Sequence, residues 1–217
     1  MLVYLFICVV LFFLMDAAGG FVWDFANALG YCGLAALITL GWGSESPAKS
    51  PSVRLHSNFS LIVTSLVAVH VLVLLISDEI VIEYLKLKAP LYMLAGIVAA
   101  VLIGFITLTS YPSMRRVTYQ RFPVFRKLHL MLSTSVVVLA VWHVVGSGFY
   151  QHTIGLQIGL VFFALGLPLA GFVARRQLGK PLRTSFVGSK LHADFQGYQS
   201  IGAAVVMSLL FAFMKNL

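Results

Sequence analysis

Residues 54–70 read RLHSNFSLIVTSLVAVH, and residues 127–143 read KLHLMLSTSVVVLAVWH. Each stretch is a basic residue, a leucine and a histidine, then thirteen mostly apolar residues, then a second histidine. The chain has only six histidines, and these two frames hold four of them: His56, His70, His129 and His143. A helix rises about 1.5 Å per residue, so fourteen positions set the two histidines of a frame about 21 Å apart along the axis. At about 100° per residue they fall only about 40° short of four full turns. Each frame therefore offers two imidazoles from nearly one face of a long apolar helix, one towards each end.

The surrounding composition says where such helices sit. Of 217 residues, 60% are hydrophobic and 10% charged, against roughly 25% charged in soluble proteins. Apolar runs of about 18 or more residues span a bilayer. Seven segments are expected to do so: about 1–15, 26–43, 57–77, 91–110, 128–147, 155–173 and 198–214. The fold class is an all-α polytopic membrane protein forming a single transmembrane domain over 1–217. The first segment is read as a retained helix, since no basic leader precedes it. Gly96, Gly104, Gly159 and Gly171 suit close helix approach inside spans. Cys8 and Cys32 lie in apolar stretches and read as packing residues. There is no C-x-x-C-H, no cysteine cluster and no glycine-rich phosphate loop.

The net charge of +8 follows the connections. The 44–56, 111–127 and 174–197 stretches hold twelve Lys and Arg, and the alternate connections and tail hold three (Lys86, Lys88 and Lys215). The positive-inside rule then puts the amino terminus in the cytoplasm and the carboxy terminus outside. The basic surface suits anionic lipid or an acidic partner, and no nucleic-acid role follows from it.

One span lies between the two frames, so their helices run parallel. His56 is then level with His129 near the cytoplasm, and His70 with His143 near the outer face. Two levels, each with an imidazole from two helices, suit two bis-histidine haem b groups. Zinc fits worse, because a structural site wants four convergent ligands and no Cys, Asp or Glu completes either level. The rival reading of each histidine is a helix-packing side chain hydrogen-bonded to a neighbour. Two frames of equal length argue against that, since polar side chains at membrane depth are costly. Arg54 and Lys127, with Lys49 and Arg126, are candidate contacts for haem propionates, or ordinary positive-inside charge. Ser57, Ser60, Ser133 and Ser135 keep both helices narrow or bond their own backbone. His152 and His192 read as loop and interfacial residues. So do the carboxylates Asp16, Asp24, Glu45, Asp78, Glu79, Glu83 and Asp194, of which Asp78 and Glu79 are candidate docking points for a cationic acceptor.

The two frames on alternate spans resemble the ferric reductase-like transmembrane domain. That family is shared by NADPH oxidases, ferric reductases and a bacterial haem membrane subunit of methionine-sulfoxide repair. The cytochrome b of quinol-oxidising complexes is a poorer match, since only 58 residues separate His70 from His129 and its quinol-site motif is absent. The resemblance covers about 26–173. It implies six core helices, two stacked b haems, and electrons passing outward through a multi-pass protein of a bacterial inner membrane. The family's oxidases continue into flavin and nicotinamide domains; here a basic linker (174–197) and a seventh span (198–214) are expected instead. No aromatic residue stands midway between the ligands, where Val63 and Val136 occur. The expected function is a diheme b-type cytochrome subunit carrying single electrons from a cytoplasmic-side or quinol donor to an outer acceptor. Its partners would be a redox protein, other subunits of a membrane complex, or a quinone. The alternatives are a quinol-linked oxidoreductase with its own substrate site (Asn58 and Tyr150 being candidates), a mainly structural haem-bearing subunit, and a histidine-lined metal transporter.

Overall fold

The computed structural model describes residues 2–13, 15, 19–42, 51–86, 88–119, 121–150, 153–178 and 190–217. Among these the secondary structure is helical, with no strand: α1 (Leu2–Phe13), α2 (Phe21–Trp42), α3 (Pro51–Ser77), α4 (Ile80–Glu83), α5 (Leu91–Ser110), α6 (Pro112–Tyr119), α7 (Phe122–Ser147), α8 (Ile154–Leu178) and α9 (Lys190–Lys215). Four of them, α2, α3, α5 and α7, are long and apolar enough to cross a membrane. The apolar stretches of α1, α8 and α9 are shorter, Val3–Phe12, Ile154–Ala170 and Gln199–Lys215. Helices are the natural outcome for such sequences, because in lipid each backbone amide must find its partner within its own segment.

The helix ends differ from the hydropathy reading in one consistent way. α3 starts at Pro51, α7 at Phe122 and α9 at Lys190, each some six to eight residues before the apolar run begins. A helix does not stop where its side chains become polar, so its first turns project past the apolar belt and carry basic residues. Arg54, Arg126 and Lys127 therefore stand on helices, and the 111–127 connection is largely the short helix α6. The linker expected at 174–197 shrinks in the same way, since α8 runs to Leu178; residues 179–189 lie outside the described ones.

The packing is organised around α2, which contacts α1, α3, α7, α8 and α9. The tightest pairings are α2 with α3 and α5 with α7. Contacts of α3 with α5 and of α7 with α2 close these two hairpins into a four-helix bundle. α3 and α7 lie across its diagonal, and they make no close backbone approach like those of neighbouring pairs. The bundle's outward side chains are large and apolar, including Leu72, Val101, Leu108 and Leu130, each more than half exposed. That is a lipid-facing belt. Gly148 caps α7 in the left-handed region at φ 58°, its amide donating to the Val145 carbonyl; a side chain there would be strained.

α9 joins α2 through a face of small residues. Ser200, Ala204, Ser208 and Ala212 recur every fourth position and are fully buried. Small residues let helix backbones approach where lipid supplies no hydrophobic drive. Cys32 on α2 lies over this face, its Sγ 3.8 Å from the Ser208 Oγ. Cys8 is also buried, and both thiols are free, in line with a packing role. Ala204→Leu should wedge the helices apart at a cost of about 1–3 kcal/mol, read as a lower thermal transition in detergent. Val206→Leu, at a position 55% exposed, should leave the transition unmoved.

Candidate functional site

The four histidines sit on the diagonal helices, His56 and His70 on α3 and His129 and His143 on α7. All four are half-buried. Between them on each helix stand Val63 and Val136, each only 1% exposed. His56, Val63 and His70 are two helical turns apart in succession, as are His129, Val136 and His143. Burial of both valines means that the two histidine stripes face inward.

His56 and His129 come together as the sequence predicts, with ring centroids 6.0 Å apart and planes at 55°. With metal–imidazole bonds of about 2 Å on each side, and each ring centre roughly 1 Å behind its nitrogen, two axial imidazoles stand about 6 Å apart. The pair thus has the separation that an iron between two imidazoles requires. Phe125 packs on His129 at 5.2 Å, and Arg115 lies over the rings of Phe122 and Phe125 at 5.5 and 5.4 Å. The Ser110 Oγ is 3.4 Å from the His129 Nδ1.

At the other level, His70 and His143 are each locked by a neighbouring helix. The His70 Nδ1–H donates to the Ala26 carbonyl of α2 at 2.8 Å. The His143 Nδ1–H donates to the Tyr92 carbonyl of α5 at 3.0 Å. A carbonyl can only accept, so each ring must carry its proton on Nδ1, which leaves Nε2 with its lone pair free for a metal. Bonds of this kind orient a ligating imidazole and raise its basicity.

Both locks have the same construction. Four residues beyond each carbonyl, on the same helix face, is a glycine against the same imidazole. A Cβ on Gly30 would lie 3.1 Å from the His70 Nδ1, and one on Gly96 would lie 2.6–2.9 Å from three atoms of the His143 ring. The glycines let each ring reach the backbone beneath it. Gly96 carries a sequence signal as a glycine within a span; Gly30 carries the same signal less conspicuously. The Ala26 and Tyr92 carbonyls carry none, since every residue has one.

The remaining candidates behave differently. Arg54 lies in the first turns of α3, but its side chain is outside the described residues. Lys127 and Arg126 are exposed. Ser60, Ser133 and Ser135 bond carbonyls of their own helices, as the backbone alternative predicts. His152 and the side chain of His192 fall outside the described residues. Asp24, read from sequence as interfacial, is instead fully buried. Among the described residues, no group of three or more His, Cys, Asp or Glu converges on one point. A groove of 580 Å³ opens between α5, α6 and α7, lined by Phe105, Thr118, Tyr119, Arg121, Val124, Leu128 and Leu132.

A family model described as "Ferric reductase like transmembrane component" matches residues 1–140, the greater part of the chain and all of the first three long helices. No curated protein matches the chain, and no solved structure does.

Proposed function

As a member of the ferric reductase-like transmembrane component family, the chain is a membrane protein with an electron-transfer role, and we propose that it is a diheme b-type cytochrome subunit. His56 and His129 would hold the haem nearer the cytoplasm, and His70 and His143 the outer one. The observation that carries this reading is the 6.0 Å separation of the His56 and His129 rings across a bundle diagonal, repeated one level up by two imidazoles with Nε2 left free. Bound between two imidazoles, each haem supplies one-electron cycling without an open coordination site for substrate.

The protein's own contribution is geometric and electrostatic. The carbonyls of Ala26 and Tyr92 hold the outer rings in one tautomer. Ser110 stands beside His129. Val63 and Val136, each 1% exposed, stand between the two levels and would keep the space between them apolar. Arg54 and Lys127, with Arg126, would meet the propionates at the basic end of the helices.

The architecture we propose is a six-helix haem-bearing core with α9 as a seventh span, the whole of 1–217 forming one domain. The twelve-to-three distribution of Lys and Arg supports a cytoplasmic amino terminus. The end of α9 lies against the first turn of α2, which supports a carboxy terminus outside. The donor would be a cytoplasmic-side redox protein, and the outer acceptor a partner subunit of a complex in a bacterial inner membrane. The groove between α5, α6 and α7, whose lining includes Leu128 next to His129 in the chain, favours a second reading, in which a quinol donates there: most of its lining residues are apolar, and Arg121 and Thr118 offer hydrogen bonds.

Reduced-minus-oxidised spectra and haem extraction from the purified native chain test the proposal. Two non-covalent b haems per chain are expected, and a chain that binds none would overturn it. Reduction by a quinol analogue in the absence of other proteins, weakened by Arg121→Ala, would select the second reading of the donor.

A further inference from the structure

Asp24 is a fully buried carboxylate that the electron path does not require. It stands in the first turn of α2, two residues before the carbonyl that fixes His70, and so about 3 Å from that carbonyl along the helix axis. Its Oδ1 accepts from the Gly19 amide at 2.9 Å and from the Tyr150 hydroxyl at 2.6 Å. Its Oδ2 accepts from the Asn216 side-chain amide at 2.7 Å. The Tyr150 hydroxyl in turn accepts from the Asn27 amide at 3.4 Å. This orients the phenol to donate to Asp24, and burial followed by the Asp24 hydrogen bond raises the Tyr150 pKa well above the ordinary phenol range.

Among the described residues, every hydrogen bond to the carboxylate thus comes from a donor. Three donors on its two oxygens stabilise the charged form of a carboxylate more than the neutral one, so the geometry favours the anion. The positive end of the α2 dipole acts in the same direction. Lys215, next to Asn216 in the chain, directs its ammonium to the Met15 carbonyl at 2.8 Å and over the Phe211 ring at 5.7 Å. Among the described residues the only ion pair is the distant Lys86–Glu83. Among the described residues, Asp24 is therefore a buried carboxylate held by dipoles, with no cation in salt-bridge contact.

Building on the diheme reading, we propose that Asp24 is the fixed negative charge that makes the outer histidine pair the lower-potential of the two sites. A nearby anion in a low-dielectric interior favours the oxidised, more positive state of a redox centre. The two Nδ1–carbonyl bonds at the same level act in the same direction, by raising imidazole basicity. The inner level has the opposite surroundings, since its flanking charges are Arg126 and Lys127. Both are exposed and screened, but they favour the reduced state.

Potentiometric titration of the native chain, followed optically, should resolve two b-type components. The lower-potential one should be the component that His143→Ala removes. Asp24→Asn keeps the side chain's shape and removes its charge, and it should raise that component towards the other while leaving the other in place. Tyr150→Phe deletes a hydrogen bond but no charge, and should move it far less. The inference fails if the outer component is the higher one in the native chain, a result that needs no Asp24 variant. It also fails if Asp24→Asn shifts neither component, or both equally. A chain with no b-type components would instead sink the diheme reading itself.

Discussion

His143→Ala should leave a protein that still folds and still shows a b-type difference spectrum, at roughly half the native amplitude. The half that is lost should be the same half that His70→Ala removes. The complementary half should go in His56→Ala and in His129→Ala. The expectation follows from how the ligands are distributed. Each level draws one imidazole from α3 and one from α7, and about 21 Å of helix separates the levels. Removing one ligand therefore breaks one level and leaves the other with both of its rings. Were His70→Ala and His143→Ala to delete different components, the pairing across the diagonal would be wrong. Difference spectra of the four variants, each normalised to chain concentration, decide the matter.

Gly96→Ala should be nearly as damaging as removing His143, although it changes one hydrogen atom into a methyl group. The new Cβ would stand 2.6–2.9 Å from three atoms of the His143 imidazole, a distance at which something must shift. The α5 backbone cannot yield readily, because α5 and α7 are among the most tightly paired helices of the bundle. The ring would tilt, lose the Tyr92 carbonyl and leave its ligating position. Overpacking of this kind costs about 1–3 kcal/mol, and the expected readout is selective loss of the outer component. Gly30→Ala meets its imidazole at 3.1–3.4 Å and should be milder. Gly104→Ala, on the same helix as Gly96 but with nothing within 4 Å, should be silent. Equal effects at Gly96 and Gly104 would mean that the first acts through helix propensity and not through the ring.

How much of this the sequence discloses depends on the range over which each feature is written. The two frames are legible because fourteen residues is a property of one helix: period and rise convert spacing into face and height without knowledge of the neighbours. The parallel course of α3 and α7 is legible for the same reason, from a count of the spans between them. The locks on the outer rings are not, because a carbonyl has no residue signature and its use by His70 or His143 depends on how two helices are set against each other. Asp24 is the clearest miss. Near the start of an apolar segment it reads as interfacial, and its burial depends on Tyr150 and Asn216, which lie 126 and 192 positions away in the chain. Helix starts were displaced for a local reason: hydropathy marks where lipid begins, and α3, α7 and α9 begin before that.

The diagonal placement of α3 and α7 bears on how the protein is made. α2 with α3, and α5 with α7, are each an antiparallel hairpin that can leave the translocon as a unit. Each hairpin already holds the backbone acceptor for its own outer histidine. What neither contains is a complete binding site, which arises only when the two halves meet in the bilayer. On the diheme reading, cofactor capture would be postponed to the last step of assembly and would double as the seal on the join. Two polypeptides divided within the 84–90 connection and produced in the same cell should, on this view, find each other most efficiently when haem is plentiful.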